Sequence, residues 1–198
     1  MKNRLFLAVA VVMTAFVVSS CGKMPQESID AAKAAVVAAK TAQADVYMAP
    51  EYKALEDSLN SVIQGIEAEN SNFLKDFDAL KAKLDTLTAQ AERVAQAVPA
   101  KREAVKAEAE AMIATVKNDL ETTKALLKKA PKGKEGKAAL EQMTNELNVV
   151  TASVSEIETA LAGDVNYAEA LDKLNAAQKS VTDINTELTE AIAKKNRK

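Results

Sequence analysis

The side chains able to do chemistry in this 198-residue chain are few, and their types exclude more than they offer. There is no histidine, so the commonest general base and nitrogen metal ligand is missing. One cysteine, Cys21, is the only thiol, so it has no disulfide partner within the chain. The five glycines are scattered and form no phosphate-cradling loop, and no G-x-S-x-G nucleophile turn occurs. Carboxylates are plentiful. Glu103, Glu108 and Glu110, or Glu187 and Glu190, could hold calcium weakly or work as an acid–base pair. Their interleaving with Lys and Ala on helical stretches reads instead as a solvated face. Tyr47 and Tyr52 flank MAPE, where a small aromatic contact surface competes with plain helix-end packing. No catalytic residue, metal ligand or cofactor site is expected, and the chain reads as no enzyme.

Cys21 is the position whose context is most specific. Lys2 and Arg4 precede an apolar run from Leu5 to Val18 that is broken only by Thr14. That run is shorter than the roughly 20 residues of a membrane span and fits a secretory signal. Val18-Ser19-Ser20-Cys21 then resembles the lipobox of bacterial lipoproteins. The resemblance implies cleavage before Cys21, diacylation of its thiol and acylation of its new amine. Residues 1–20 would be the signal peptide and 21–27 a lipidated tether. Each acyl methylene buried in a bilayer is worth ~0.8 kcal/mol, so several chains on one residue anchor firmly. In lipoproteins of two-membrane bacteria an aspartate after the cysteine favours inner-membrane retention. Gly22 stands here, which by the same resemblance implies the outer membrane, facing the periplasm.

Composition narrows the rest. Loss of Lys2 and Arg4 with the signal takes the 26 basic residues to 24 against 28 acidic ones, a net charge of −4. Phosphate neutralisation needs a basic face, so no nucleic acid partner is expected. Much of the apolar content is alanine and only 4% of residues are aromatic, which points to thin, closely packed helices over a thick core.

The apolar residues fall into helical lines, and no strand-like alternation competes with them. Ile29, Ala32, Val36, Ala39 and Val46 mark a first helix, with Ser28 as its N-cap. Pro50, suited to a first turn, opens a second helix along Tyr52, Leu55, Leu59, Val62 and Ile66. After ENSN comes Phe73, Phe77, Leu80, Leu84, Leu87, Ala91, Val94 and Val98. The steps of four and three repeat every seven residues, as in a left-handed supercoil. Leu140, Met143, Leu147, Val150, Val154, Ile157 and Leu161 repeat that spacing, and Tyr167, Leu171, Leu174, Val181, Leu188 and Ile192 follow. Gln178 and Asn185 also fall on this last seam as register-setting polar positions, unless the helix drifts onto Ala177 and Ile184 instead.

The stripe from Tyr52 to Ile66 aligns with Leu147 to Leu161, and Phe73, Phe77, Leu80, Leu87 and Val94 align with Tyr167, Leu171, Leu174, Val181 and Leu188. Ala49-Pro50 and Ala130-Pro131 stand ahead of the two segments, so the pattern reads as a duplicated hairpin. In LAGDVNYAEAL, Gly163 suits a left-handed C-cap and Asn166 with Glu169 a capping box. That segment weakly resembles tetratricopeptide-type repeats but lacks their period, and its helices are too long. Val98-Pro99-Ala100 is a poor reversal between strong helix formers, which predicts one long helix, kinked at Pro99, over about 72–129. A true turn at Pro99 is the alternative, and PKGKEG at 131–136 is the clearer stop.

The sequence therefore predicts an all-α, elongated, coiled-coil-like bundle of antiparallel helical hairpins with an internal duplication. Residues 28–98 and 99–195 are the two units and 196–198 a basic tail. Its pattern looks like that of alanine-rich helical bacterial lipoproteins. The expected work is that of an envelope scaffold or protein-interaction module, tied to the membrane by lipid and bound to other envelope proteins or to itself. A periplasmic peptide- or ligand-binding repeat module is the alternative. The closing Asn196-Arg197-Lys198 resembles the Tyr-Arg-Lys end of the major murein lipoproteins, whose terminal lysine amine joins peptidoglycan. Lys198 matches that attaching position, whereas Asn196 departs from the family's tyrosine.

Overall fold

The computed structural model describes residues 23–131, 136–163 and 165–196. Among them are six helices and no strand: α1 (Gln26–Thr41), α2 (Ala44–Tyr47), α3 (Ala49–Asn70), α4 (Asp78–Lys129), α5 (Gly136–Leu161) and α6 (Tyr167–Asn196). The fold is an all-α bundle of long helices packed on one another.

Helix α4 is the spine. Its 52 residues span about 78 Å at 1.5 Å per residue. One seam runs along it, through Leu84, Leu87, Ala91, Val98, Val105, Ala109, Ile113, Val116 and Leu120, all buried. Pro99 sits inside this helix, as expected, rather than at a turn. Its ring faces solvent while Val98 and Val105 are buried, so packing holds the helix together across the lost N–H.

Two sets of helices line this spine. Helix α3 runs antiparallel to the first part of α4: Gly65 lies against Leu80, while Val62 and Leu87 share one groove. Helix α1 packs on both α3 and α4, and its stripe of Ile29, Ala32, Val36 and Ala39 is buried throughout. Along the second part of α4, α5 runs antiparallel, with Lys117 at Glu158 and Leu127 beside Leu140. Helix α6 runs parallel to α4, because Tyr167 lies at Arg102, Gln178 at Asp119 and Asn185 at Thr123. Each half thus gathers three helical stretches that share α4: α1, α3 and the first part of α4 in one, and the second part of α4, α5 and α6 in the other.

Several local expectations are corrected. The first helix stops at Thr41, because Gln43 adopts a left-handed conformation (φ 71°), and Val46 belongs to the separate turn α2. Ser28 is inside α1 instead of capping it; Pro25 takes the cap position, and its carbonyl accepts the Ile29 N–H at 3.0 Å. Helix α4 begins at Asp78, not near 72, so Phe73 leaves the buried stripe and is 99% exposed. Gly163 closes α5 without a left-handed φ, its N–H reaching the Ala160 carbonyl at 2.9 Å. Asn166 does cap α6, its Oδ1 accepting the Glu169 N–H at 3.1 Å. The Glu169 side chain pairs with Lys173 (2.7 Å), leaving the capping box half made. On α6, Ala177 and Ile184 are buried, and Gln178 and Asn185 flank them half-buried.

Candidate functional site

The carboxylates singled out for acid–base or calcium chemistry do not converge. Glu103, Glu108, Glu110, Glu187 and Glu190 are all exposed. Among the described residues no three acidic or thiol side chains gather as a metal site. Glu169 is shifted: the ammonium of Lys173, hydrogen-bonded to it, holds its carboxyl below the usual carboxylate range. That is an exposed i,i+4 pair on α6.

The tyrosines are structural. Tyr47 and Tyr52 are both buried, so helix-end packing describes them and an open aromatic surface does not. Tyr47, at the end of α2, accepts a hydrogen bond at its hydroxyl from the Tyr167 N–H at 3.2 Å, a contact between residues 120 apart in the chain. It supplies a partner for one of the N–H groups that the start of α6 leaves open. The Arg102 guanidinium lies 4.7 Å from the Tyr167 ring centroid and the Lys106 ammonium 5.6 Å. These cation–π contacts add to the joint where the two units meet on α4. Tyr52 donates to Glu56 at 3.0 Å, and burial, with that carboxylate beside it, raises its phenol above the ordinary value.

Polar contacts stitch the second unit together. Gln178 donates to Asp119 at 2.5 Å, and Asn185 donates to the fully buried Thr123 hydroxyl at 3.0 Å. Lys117 reaches Glu158 at 2.5 Å between α4 and α5, with both side chains about half exposed.

Two surface features could meet a partner. Between α3 and α4 lies an open groove of 810 Å³, floored by Val62, Leu80 and Leu87 and rimmed by Asp57, Ser61 and Lys83. Its lining mixes apolar and polar side chains. At the α3–α4 turn, Phe73 and Leu74 are 99% and 84% exposed. Heptad reading assigned Phe73 to the core. The available signal was its place directly after ENSN, where a turn can project adjacent large residues.

Cys21 and Lys198, the sequence-derived attachment residues, lie outside the described residues. No described helix is long and apolar enough to cross a membrane. The chain matches no protein-family model, no curated protein and no solved structure.

Proposed function

We propose that this chain is a lipid-anchored, non-catalytic envelope protein in which an elongated helical rod serves as a scaffold or protein-interaction module. The single observation that carries the reading is Val18-Ser19-Ser20-Cys21 at the close of a basic-then-apolar leader. The fold suits what such an anchor would hold. A 52-residue spine flanked by thin three-helix units spreads side surface over a long reach, and the acidic residues first considered for chemistry stay dispersed and solvated.

The test is metabolic labelling with a radioactive or alkynyl fatty acid in a bacterial host, followed by membrane fractionation. The wild-type chain should carry label and sediment with membranes, and Cys21→Ala should lose the label and the acyl-dependent sedimentation. An unlabelled wild-type product overturns the proposal. Crosslinking in intact cells with mass spectrometry would then identify the component that the rod holds.

The groove between α3 and α4 supports a second reading, a periplasmic peptide- or ligand-binding module. A scaffold should form oligomers whose size rises with concentration. A binding module should stay monomeric, and bulky substitution of exposed Ser61 in the groove should abolish its ligand uptake. Covalent attachment through Lys198 has its own test: sacculi boiled in detergent should retain the chain, and deletion of Lys198 should release it.

A further inference from the structure

The turn joining α3 and α4 inverts the usual arrangement of a polar loop. Its polar side chains fold back and satisfy the turn itself. Glu69 accepts from the Asn72 amide and from the Asp76 N–H, each at 2.8 Å. Lys75 donates to Asn70 Oδ1 at 2.9 Å, Ser71 to the Glu67 carbonyl at 3.2 Å, and the Asp78 N–H to Asp76 Oδ1 at 3.0 Å. Among the large apolar side chains of this turn, Phe77 is buried while Phe73 and Leu74 face water. A pinned turn that displays two adjacent large apolar groups keeps them in water at a cost that burial elsewhere would relieve.

The position of this turn decides what covers it. Tyr47, at the end of α2, is tied to Tyr167 near the middle of α4, and α3 sets off from there along α4 toward Asn70. Helix α1 (16 residues, about 24 Å) leads toward that joint, α3 (22 residues, about 33 Å) leads away from it, and the two pack on each other, so the start of α1 and the end of α3 lie toward the same end of the rod. Lys23, the first described residue, is therefore at the same end of the rod as Phe73 and Leu74, and Met24 there is 41% exposed. Cys21 precedes Lys23 by two residues in the sequence.

We infer that Phe73 and Leu74 form a second membrane contact, inserting into the same lipid surface that receives the acyl chains of Cys21. The inference rests on the anchoring reading above. Two side chains offer far less than the roughly 1,000 Å² that a stable protein interface buries, but they suffice as a wedge beside an existing anchor. Glu67, Glu69, Asp76 and Asp78 surround the turn against one lysine, Lys75. Attraction to anionic headgroups is thus not the driving force, and insertion should occur on a zwitterionic bilayer. With lipid at the chain start and a wedge on the neighbouring hairpin, the rod would be held at two points and stand off the membrane in a set orientation.

The chain has no tryptophan, so one introduced residue reports alone. Phe73→Trp and Leu74→Trp, each in the full acylated chain, would be reconstituted in phosphatidylcholine vesicles, with and without brominated acyl chains. Val149→Trp, on exposed α5 in the other half, is the control. Mass spectrometry of the same samples verifies acylation of Cys21. Emission from positions 73 and 74 should shift to the blue and be quenched by brominated lipid, and emission from 149 should do neither. An acylated chain whose position 73 and 74 emission matches that of 149 overturns the inference and leaves the anchor standing. Shielding from soluble iodide without quenching by brominated lipid would assign the turn to a protein partner and overturn it equally. A sample found unacylated removes the anchoring reading, and this inference with it.

Discussion

Thr123 and Asn185 allow the packing of α6 on α4 to be tested with a single cycle. Thr123 is fully buried on α4, and its hydroxyl accepts the Asn185 amide at 3.0 Å from a half-buried position on α6. Thr123→Val keeps the branched shape and removes the acceptor. Asn185→Ala removes the donor. A neutral hydrogen bond of this kind nets about 1 kcal/mol, so each single change should cost about that much. The pair together should cost about 1 kcal/mol as well, because the second change removes a bond already lost. The coupling is then about 1 kcal/mol, well above the roughly 0.5 kcal/mol scatter of independent sites. In a domain of this length a loss of 1 kcal/mol lowers Tm by about 2–4 °C. The assay is urea unfolding of the four chains followed by far-ultraviolet circular dichroism, with slopes compared to establish a common unfolded state. Strictly additive losses would refute the reasoning, and so would a double variant less stable than either single one by a full 1 kcal/mol.

Other outcomes are equally specific. Leu174→Ala, at a fully buried position on α6, should cost about 2–5 kcal/mol in the same urea assay. Gly65→Ala should raise Tm: alanine gains up to about 1 kcal/mol in a helix interior, and the new Cβ meets only Leu80, its Cδ2 at 2.9 Å and its Cδ1 at 4.0 Å, the far end of a half-buried side chain that has to swing aside. A fall in Tm would show Leu80 to be held. The raised Tyr52 phenol favours the neutral form in the folded chain, so its stabilisation is complete below the ordinary tyrosine range and is lost as pH climbs through the raised value. Absorbance titration should show a phenol ionising above the ordinary tyrosine range, and Tyr52→Phe should remove that contribution. Lys117→Ala should cost at most about 1 kcal/mol, and less in high salt, because both partners of the Glu158 pair are half exposed.

The legible part of the fold was the part governed by local rules. The steps of three and four located α3, α5 and α6, and the strong helix formers around Pro99 correctly outweighed the proline. Where two local rules competed, the sequence reading failed. Phe73 satisfied the heptad spacing, but Glu69 captured the Asn72 and Asp76 groups and ended the helix line before it. Val46 satisfied the period too, yet Gln43 turned left-handed and set α2 apart. For Gln178 and Asn185 the two readings were not exclusive. Alanine and isoleucine fill the seam, and the neighbouring amides reach across its edge to Asp119 and Thr123.

The sequence by itself determined the helical class and most of the buried stripes, because periodicity and turn chemistry act within a few residues. Only the tertiary structure decided that α1 joins α3 and α4, that Tyr47 meets Tyr167, and that Phe73 and Leu74 stay exposed at the α3–α4 turn. Alanine-rich faces are nearly interchangeable as partners. Which of them meet is settled by the summed packing of whole helices, and no short stretch of residues encodes that sum.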